Sequence, residues 1–246
     1  MKRIVLLFSV AVLATSSQAQ GLKNILKKDP SGKPAVDKIL KNTTKSSLSN
    51  DEIVSGLKEA LSVGTNNASK QLSNVDGFFK DAAIKILMPA EAQKAEKKLR
   101  ALGMGKLVDD AILSMNRAAE DASKSAAPIF INAVKQMSIG DAVGILKGGD
   151  FAATSYLKDK TTASLTESFR PVIEASLQKT NATKYWNAVF TAYNKLSADK
   201  INPDLAAYVT EKSLSGIFYQ VGLEEQKIRK DPVARTTDIL KKVFAN

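Results

Sequence analysis

The chain contains no histidine and no cysteine in its 246 residues. A Ser-His-Asp triad, a cysteine nucleophile, a thiolate zinc site and a disulfide are therefore all excluded. Aromatic residues make up only 6% of the sequence, too few for a protein that binds nucleic acid by stacking bases. Beyond the first fourteen residues, no stretch approaches the run of about eighteen apolar residues that reads as a membrane span. What is present is an ordinary globular mixture, 44% hydrophobic and 25% charged, with 36 Lys+Arg against 25 Asp+Glu and a formal charge of +11. That is enough apolar material for one sizeable core.

The first 48 residues read as two segments that precede the fold. Lys2 and Arg3, a largely apolar stretch from Ile4 to Ala14, and the small-x-small triplet Ser17-Gln18-Ala19 have the layout of a secretory signal over 1–19. The apolar stretch is too short to cross a hydrocarbon core that needs about 20 residues. Cleavage would leave Gln20 as the new terminus and a formal charge of +9. The sequence thus predicts export to a periplasmic or extracellular space, and the missing cysteine excludes lipoprotein anchoring. Residues 20–48 carry seven lysines against Asp29 and Asp37, a local charge of +5. With the breaker cluster Asp29-Pro30-Ser31-Gly32-Lys33-Pro34 they read as a basic flexible leader. Its one suggested partner is an anionic envelope surface. Nucleic acid is disfavoured, because the charge is concentrated in an exported leader.

From Ser49 to Asn246 the pattern is helical. Ser49-Asn50-Asp51-Glu52 predicts a capping box, and Ile53, Leu57, Leu61, Ala68 and Leu72 fall on one helical face over 49–71. Val75 to Met88 is the exception: Ile84, Ile86 and Met88 alternate with Lys85 and Leu87 as in a short strand or extended loop. Further helices are expected over 89–102, with Gly103 as the stop, over about 107–122, from Pro128 to 137, and from a Ser138/Asp141 cap to Gly148-Gly149. A long helix capped by Asp150 should kink or split at Pro171. Helices over 182–196, 203–229 and 232–244 complete an all-α class of about eight to nine helices in one domain, with at most one short extended or hairpin segment near 75–88.

No cofactor loop survives inspection. Gly103-Met104-Gly105-Lys106 lacks the strand and the hydroxyl of a phosphate loop and reads as a turn. Asn116, Arg117 and Glu120 attract attention instead, because polar groups three and four apart sit here at the edge of an apolar stripe. With Lys212 and Arg235 they are expected to meet as one polar cluster, either structural or ligand-binding, since charges near a core persist only when paired. Arg235, expected in the first turn of the last helix, opposes the helix dipole and so should have a carboxylate partner, Glu120 or Glu225.

Five blocks carry a resemblance to a family. They are Leu48-Ser49-Asn50-Asp51-Glu52-Ile53 continuing to Leu61, Asn116-Arg117-Ala118-Ala119-Glu120, Gly149-Asp150-Phe151-Ala152-Ala153-Thr154, Tyr208-Val209-Thr210-Glu211-Lys212 and Asp231-Pro232-Val233-Ala234-Arg235-Thr236-Thr237. In this order they resemble a bacterial family of exported proteins known as domain of unknown function 4197. The resemblance implies export and a mostly helical domain, and it brings no activity. Some similar proteins look like lipoproteins; this chain departs from them in having no cysteine. The leading expectation is a non-catalytic binding protein of the cell envelope, taking an apolar or anionic ligand or a protein partner in a helical groove, with no cofactor and no metal. The alternative is a glycan hydrolase or lyase using a carboxylic acid such as Glu120 or Glu224, a chemistry that needs no histidine.

Overall fold

The computed structural model describes residues 49–179, 182–183, 186–187, 194, 204–235 and 237–244. The export segment, the basic leader and most of the helix expected over 182–196 lie outside the described residues. Among the described residues there are eight α-helices, two single 3-10 turns and no strand, so the chain folds as an all-α domain.

Helix α1, Asn50–Ser73, opens with the expected capping box: the Ser49 hydroxyl accepts the Glu52 N–H at 3.2 Å and the Glu52 carboxylate accepts the Ser49 N–H at 2.9 Å. After an irregular stretch and a 3-10 turn at Ala90–Ala92 comes α2, Gln93–Ala101, stopped by Gly103 at φ +78°, a conformation that favours glycine. Helix α3 spans Gly105–Ser123, α4 Ala126–Gln136, and α5 Ile139–Lys147 behind the Ser138/Asp141 capping box. Helix α6 covers Ala152–Lys179 and α7 Leu205–Lys230, the latter capped by Asp204 on the Ala207 N–H. A 3-10 turn, Pro232–Ala234, leads to α8, Asp238–Val243.

Four local expectations are corrected. Of the kink or split expected at Pro171, the split is absent, since α6 runs through it as one helix. The proline and Glu167, whose carbonyl it leaves without an N–H partner, are both exposed, so water can satisfy that oxygen, while buried Phe169 and Ile173 hold the helix on either side. Helix α4 begins two residues before Pro128, which fits because a first-turn N–H has no intrahelical partner to lose. Asp150 does not cap α6; it is exposed and paired with Lys230 at 3.2 Å. The expected helix over 232–244 is broken: Asp231 caps a single 3-10 turn, and Thr237 starts the helix afresh.

The core sits where α6 packs against α3 on one side and α7 on the other, with α1 against α7, α4 and α8. Leu157, Leu165, Phe169, Ile173 and Leu177 of α6 are fully buried, one or two turns apart, and Ala118, Ala119 and Ala122 let α3 come close. Phe130 of α4 meets Phe218 of α7 edge to face, centroids 6.0 Å apart. Helix α2 stands out: it packs on α3 and buries none of its residues fully.

Candidate functional site

Residues 74–88, between α1 and α2, form no regular helix; turns within the segment satisfy part of its backbone, and helix α3 supplies partners for Phe78, Phe79 and Ile86. The alternation legible in the sequence is present, with Ile84 and Ile86 buried and Leu87 exposed, but the place of a neighbouring strand is taken by one side chain. Asn116 Oδ1 accepts the Ile86 N–H at 2.9 Å, while Asn116 Nδ2 donates to the Ile86 carbonyl at 2.8 Å and to the Ile112 carbonyl at 2.7 Å. A carboxamide offers the same donor and acceptor as a peptide unit, so it can stand in for one.

One turn further along α3, Glu120 Oε1 accepts the N–H groups of Phe78 and Phe79 at 3.1 and 3.2 Å, and its Oε2 takes Arg117 Nη1 at 2.6 Å. Arg117 Nη2 donates to Asp76 Oδ1 at 2.8 Å, and Lys80 Nζ lies 2.8 Å from Asp76 Oδ2. Asp76 has φ +71°, a conformation aspartate tolerates better than most residues. Lys80 first, then Arg117, hold the Asp76 carboxyl below its usual value, and Glu120 followed by Asp76 raises the Arg117 guanidinium. The Phe79 ring carries Lys85 Nζ 4.0 Å from its centroid and the Arg117 guanidinium at 5.7 Å. Asn116, Arg117 and Glu120 therefore act together as a clamp on residues 76–86.

Lys212 and Arg235 do not join them. Lys212 is half exposed on α7, 3.7 Å from Glu211 and 5.6 Å from the Tyr208 ring, in a shallow depression on the α7 side of residues 83–87. There Tyr208 Oη donates to the Leu87 carbonyl at 2.8 Å. Gly216 permits this approach, because a Cβ on it would lie 2.5 Å from the Phe78 ring. Arg235 donates to the carbonyls of Ile228 and Arg229 at 3.0 and 2.9 Å. It lies beyond the C-terminus of α7, not in a helix's first turn, so its charge favours the dipole it faces and neither Glu120 nor Glu225 is its partner. Three of the five meet and two do not: Asn116 and Glu120 bind backbone groups of the irregular segment with Arg117 bridging Glu120 to Asp76, Arg235 binds the end of α7, and Lys212 stays with its neighbours Glu211 and Tyr208.

A second polar assembly was not anticipated. Buried Glu225 of α7 accepts the N–H groups of Ala153 and Thr154 at 3.0 and 2.8 Å and the Thr154 hydroxyl at 2.7 Å. A remote carboxylate thus caps α6. Arg229 completes it, at 2.9 Å from both Glu225 Oε1 and the Ile145 carbonyl. The i,i+4 pair Glu225/Arg229 was the signal available in the sequence. Neighbouring Glu224 is also engaged, by Lys227 and by Asn67 Nδ2 at 3.1 Å.

The clamp has a geometric consequence. Fixing Ile86 to α3 also fixes Met88 and the entry to α2, and α2 then stands off α3 to leave a cleft of about 320 Å³. Ala95 and Leu99 of α2 line it with Val108 and Met115 of α3, and Trp186 and Leu205 complete its apolar surface. The Trp186 ring stacks on Tyr208 at 6.4 Å and 14°. The volume lies within the range of small-molecule pockets, and the walls are mostly apolar. A crevice among α1, α6 and α7, about 20 Å³, is too small for a ligand. Among the described residues, no three carboxylates come together as a metal would need, and no single helix is long and apolar enough to cross a membrane.

No curated protein and no solved structure matches this chain. A family model does match, over residues 47–245, which takes in the whole helical body with its clamp and its cleft. The chain belongs to the family described as "Protein of unknown function (DUF4197)".

Proposed function

We propose that this protein is a non-catalytic binding protein that holds an apolar small molecule in the cleft between α2 and α3. The observation that carries the reading is the cleft itself: about 320 Å³, mostly apolar walls, and one wall made by a helix with no fully buried residue. A helix that contributes so little to the core can yield to a ligand at small cost. Glu120 and Glu224, the carboxylates of the glycan reading, are each spent on protein contacts, which favours binding over acid catalysis.

The chain has a single tryptophan, and Trp186 lines the cleft, so its emission reports occupancy. The test is titration of the mature chain with N-phenylnaphthylamine, reading energy transfer from Trp186. Saturable binding, abolished by filling the cleft with Ala111→Phe, is the expected result. Absence of saturation, or binding that survives Ala111→Phe unchanged, overturns the reading.

The same proposal places the protein outside the cytoplasm, supported by the charged, apolar and small-x-small order of residues 1–19. N-terminal sequencing of the protein from cell envelopes should give Gln20, and an intact Met1 refutes export. The lysine-rich leader is assigned contact with anionic surfaces. Deleting residues 20–48 should abolish salt-sensitive binding to phosphatidylglycerol vesicles, and binding that persists moves that contact into the helical body.

A further inference from the structure

We infer that the molecule held in the α2–α3 cleft carries an ammonium head on its apolar body. This rests on the cleft being a binding site and adds the chemistry of its mouth. Besides the Trp186 indole, the polar side chains lining it among the described residues are Glu96 of α2 and Asp110 and Ser114 of α3. Carboxylates accept hydrogen bonds and do not donate them. Ser114 Oγ gives its only proton to the Asp110 carbonyl, at 2.8 Å, so towards the cleft it too has only lone pairs to offer. Two carboxylates in the lining of an apolar slot, one from α2 and one from α3, with a hydroxyl that can only accept, match a ligand group that brings several donors and a positive charge.

The cations nearest these carboxylates stand outside the described lining. Arg100 pairs with Glu96 at 2.9 Å and with Asp109 at 2.8 Å, and Lys106 pairs with Asp110 at 2.7 Å. The Lys106 side chain is 86% exposed and Asp110 56%. The exposed Lys106–Asp110 pair contributes little and is readily exchanged; Glu96 is only 22% exposed, but its partner Arg100 also holds Asp109, so an incoming ammonium can share both carboxylates without stranding a cation. The Trp186 ring supplies an electron-rich face that also favours a cation. A carboxylate-headed ligand of the same length would meet two like charges, and a hydroxyl-headed one would bring a single donor and no charge.

Octylamine, octanol and octanoate share one chain and differ in the head. Each is titrated into the mature protein while Trp186 emission is followed. Octylamine is expected to bind roughly tenfold tighter than octanol, from two partly exposed carboxylate contacts, with octanoate the weakest. In the double variant Glu96→Gln/Asp110→Asn, the advantage of octylamine over octanol should disappear while octanol still binds. Retained octanol binding shows that the cleft survives the substitutions; if it is lost, the two single variants carry the comparison. Equal binding of octylamine and octanol to the parent protein, tightest binding of octanoate, or an octylamine advantage untouched by the substitutions overturns the ammonium inference and leaves the cleft as an apolar site. Binding of none of the three overturns both.

Discussion

Replacing Asn116 with leucine isolates the clamp, because the two side chains are close in size and the change removes only the carboxamide. Asn116 is fully buried and Ile86 is 2% exposed, so water does not readily replace what is lost. Three hydrogen bonds disappear, but the Ile112 carbonyl lies within α3 and keeps its helical partner. The cost therefore comes from the Ile86 N–H and C=O. A buried backbone group left unsatisfied costs about 1–3 kcal/mol, so Asn116→Leu should destabilise the domain by about 2–5 kcal/mol, part of the penalty returning as residues 84–88 relax towards solvent. For a domain of this size the melting temperature should drop by roughly 5–15 °C. Urea unfolding followed by far-ultraviolet circular dichroism measures the first figure, and limited proteolysis should show new cleavage within residues 74–88. Ser114→Ala is the matched control on the same helix, since its hydroxyl bonds only to the preceding turn, and it should lie within about 0.5 kcal/mol of the parent. An Asn116→Leu midpoint no lower than the Ser114→Ala midpoint would refute the claim that the carboxamide replaces a strand.

The charged half of the clamp should be graded by burial. With its side chain 35% exposed, Arg117→Ala should cost only about 1–2 kcal/mol, well below the cost of a fully buried pair. Glu120→Ala strands two N–H groups, leaves Arg117 with Asp76 as its carboxylate, and should cost about 3 kcal/mol; equal losses in urea midpoints contradict this order. Arg235→Ala removes two charge-assisted bonds to the end of α7 and should lose about 1–2 kcal/mol, with Arg235→Lys recovering part of it; full recovery by lysine would mean that the fork geometry is irrelevant. For pH, the Asp76 carboxyl is held below its ordinary value by Lys80 and then Arg117. The folded state thus binds that proton more weakly than the unfolded chain. Its contribution is complete above the ordinary carboxylate range and is lost as the pH falls through that range towards the lowered folded value. Asp76→Asn should flatten the acid limb of a stability-versus-pH series, and an unchanged slope rules the pairing out.

What the sequence revealed and what it concealed divide along local and remote interactions. The Ser49/Glu52 and Ser138/Asp141 boxes, the stop at Gly103 and the spacing of Leu57, Leu61, Ala68 and Leu72 are each settled within a few residues, so pattern and structure agree. The start of α6 was misread because Asp150 is a good local cap, whereas the groups that need capping are met by Glu225, 72 residues further on from Ala153. The break after Pro232 depends in the same way on Arg235 folding back to α7. The alternation at Ile84–Met88 was legible as a short strand or an extended loop, and the segment is extended; what was not legible is its partner, since nothing in a hydropathy pattern says that a side chain can take a strand's place. Grouping Asn116, Arg117 and Glu120 succeeded because they share one helix; extending the group to Lys212 and Arg235 failed because Arg235 is satisfied by the carbonyls at the end of α7 and Lys212 is half exposed beside Glu211 and Tyr208.

The cleft was the least legible feature, and α3 explains both why it exists and how it is tied to the clamp. Successive residues on a helix point about 100° apart, so Met115 can line the cleft while Asn116, the next residue, grips Ile86. Met88, two residues after Ile86, lines the same cleft. The clamp therefore fixes one edge of the space and leaves α2, held to α3 mainly through Ala95, Leu99 and the exposed Arg100–Asp109 pair, as the edge that can move. Loosening the clamp should then weaken ligand binding as well as stability, whereas breaking the Arg100–Asp109 pair should change binding with little effect on the fold. Asn116→Leu and Asp109→Asn, compared at one temperature by N-phenylnaphthylamine titration and urea unfolding, separate the two edges. If both variants shift stability and binding in the same proportion, the cleft is not built from one fixed and one yielding wall.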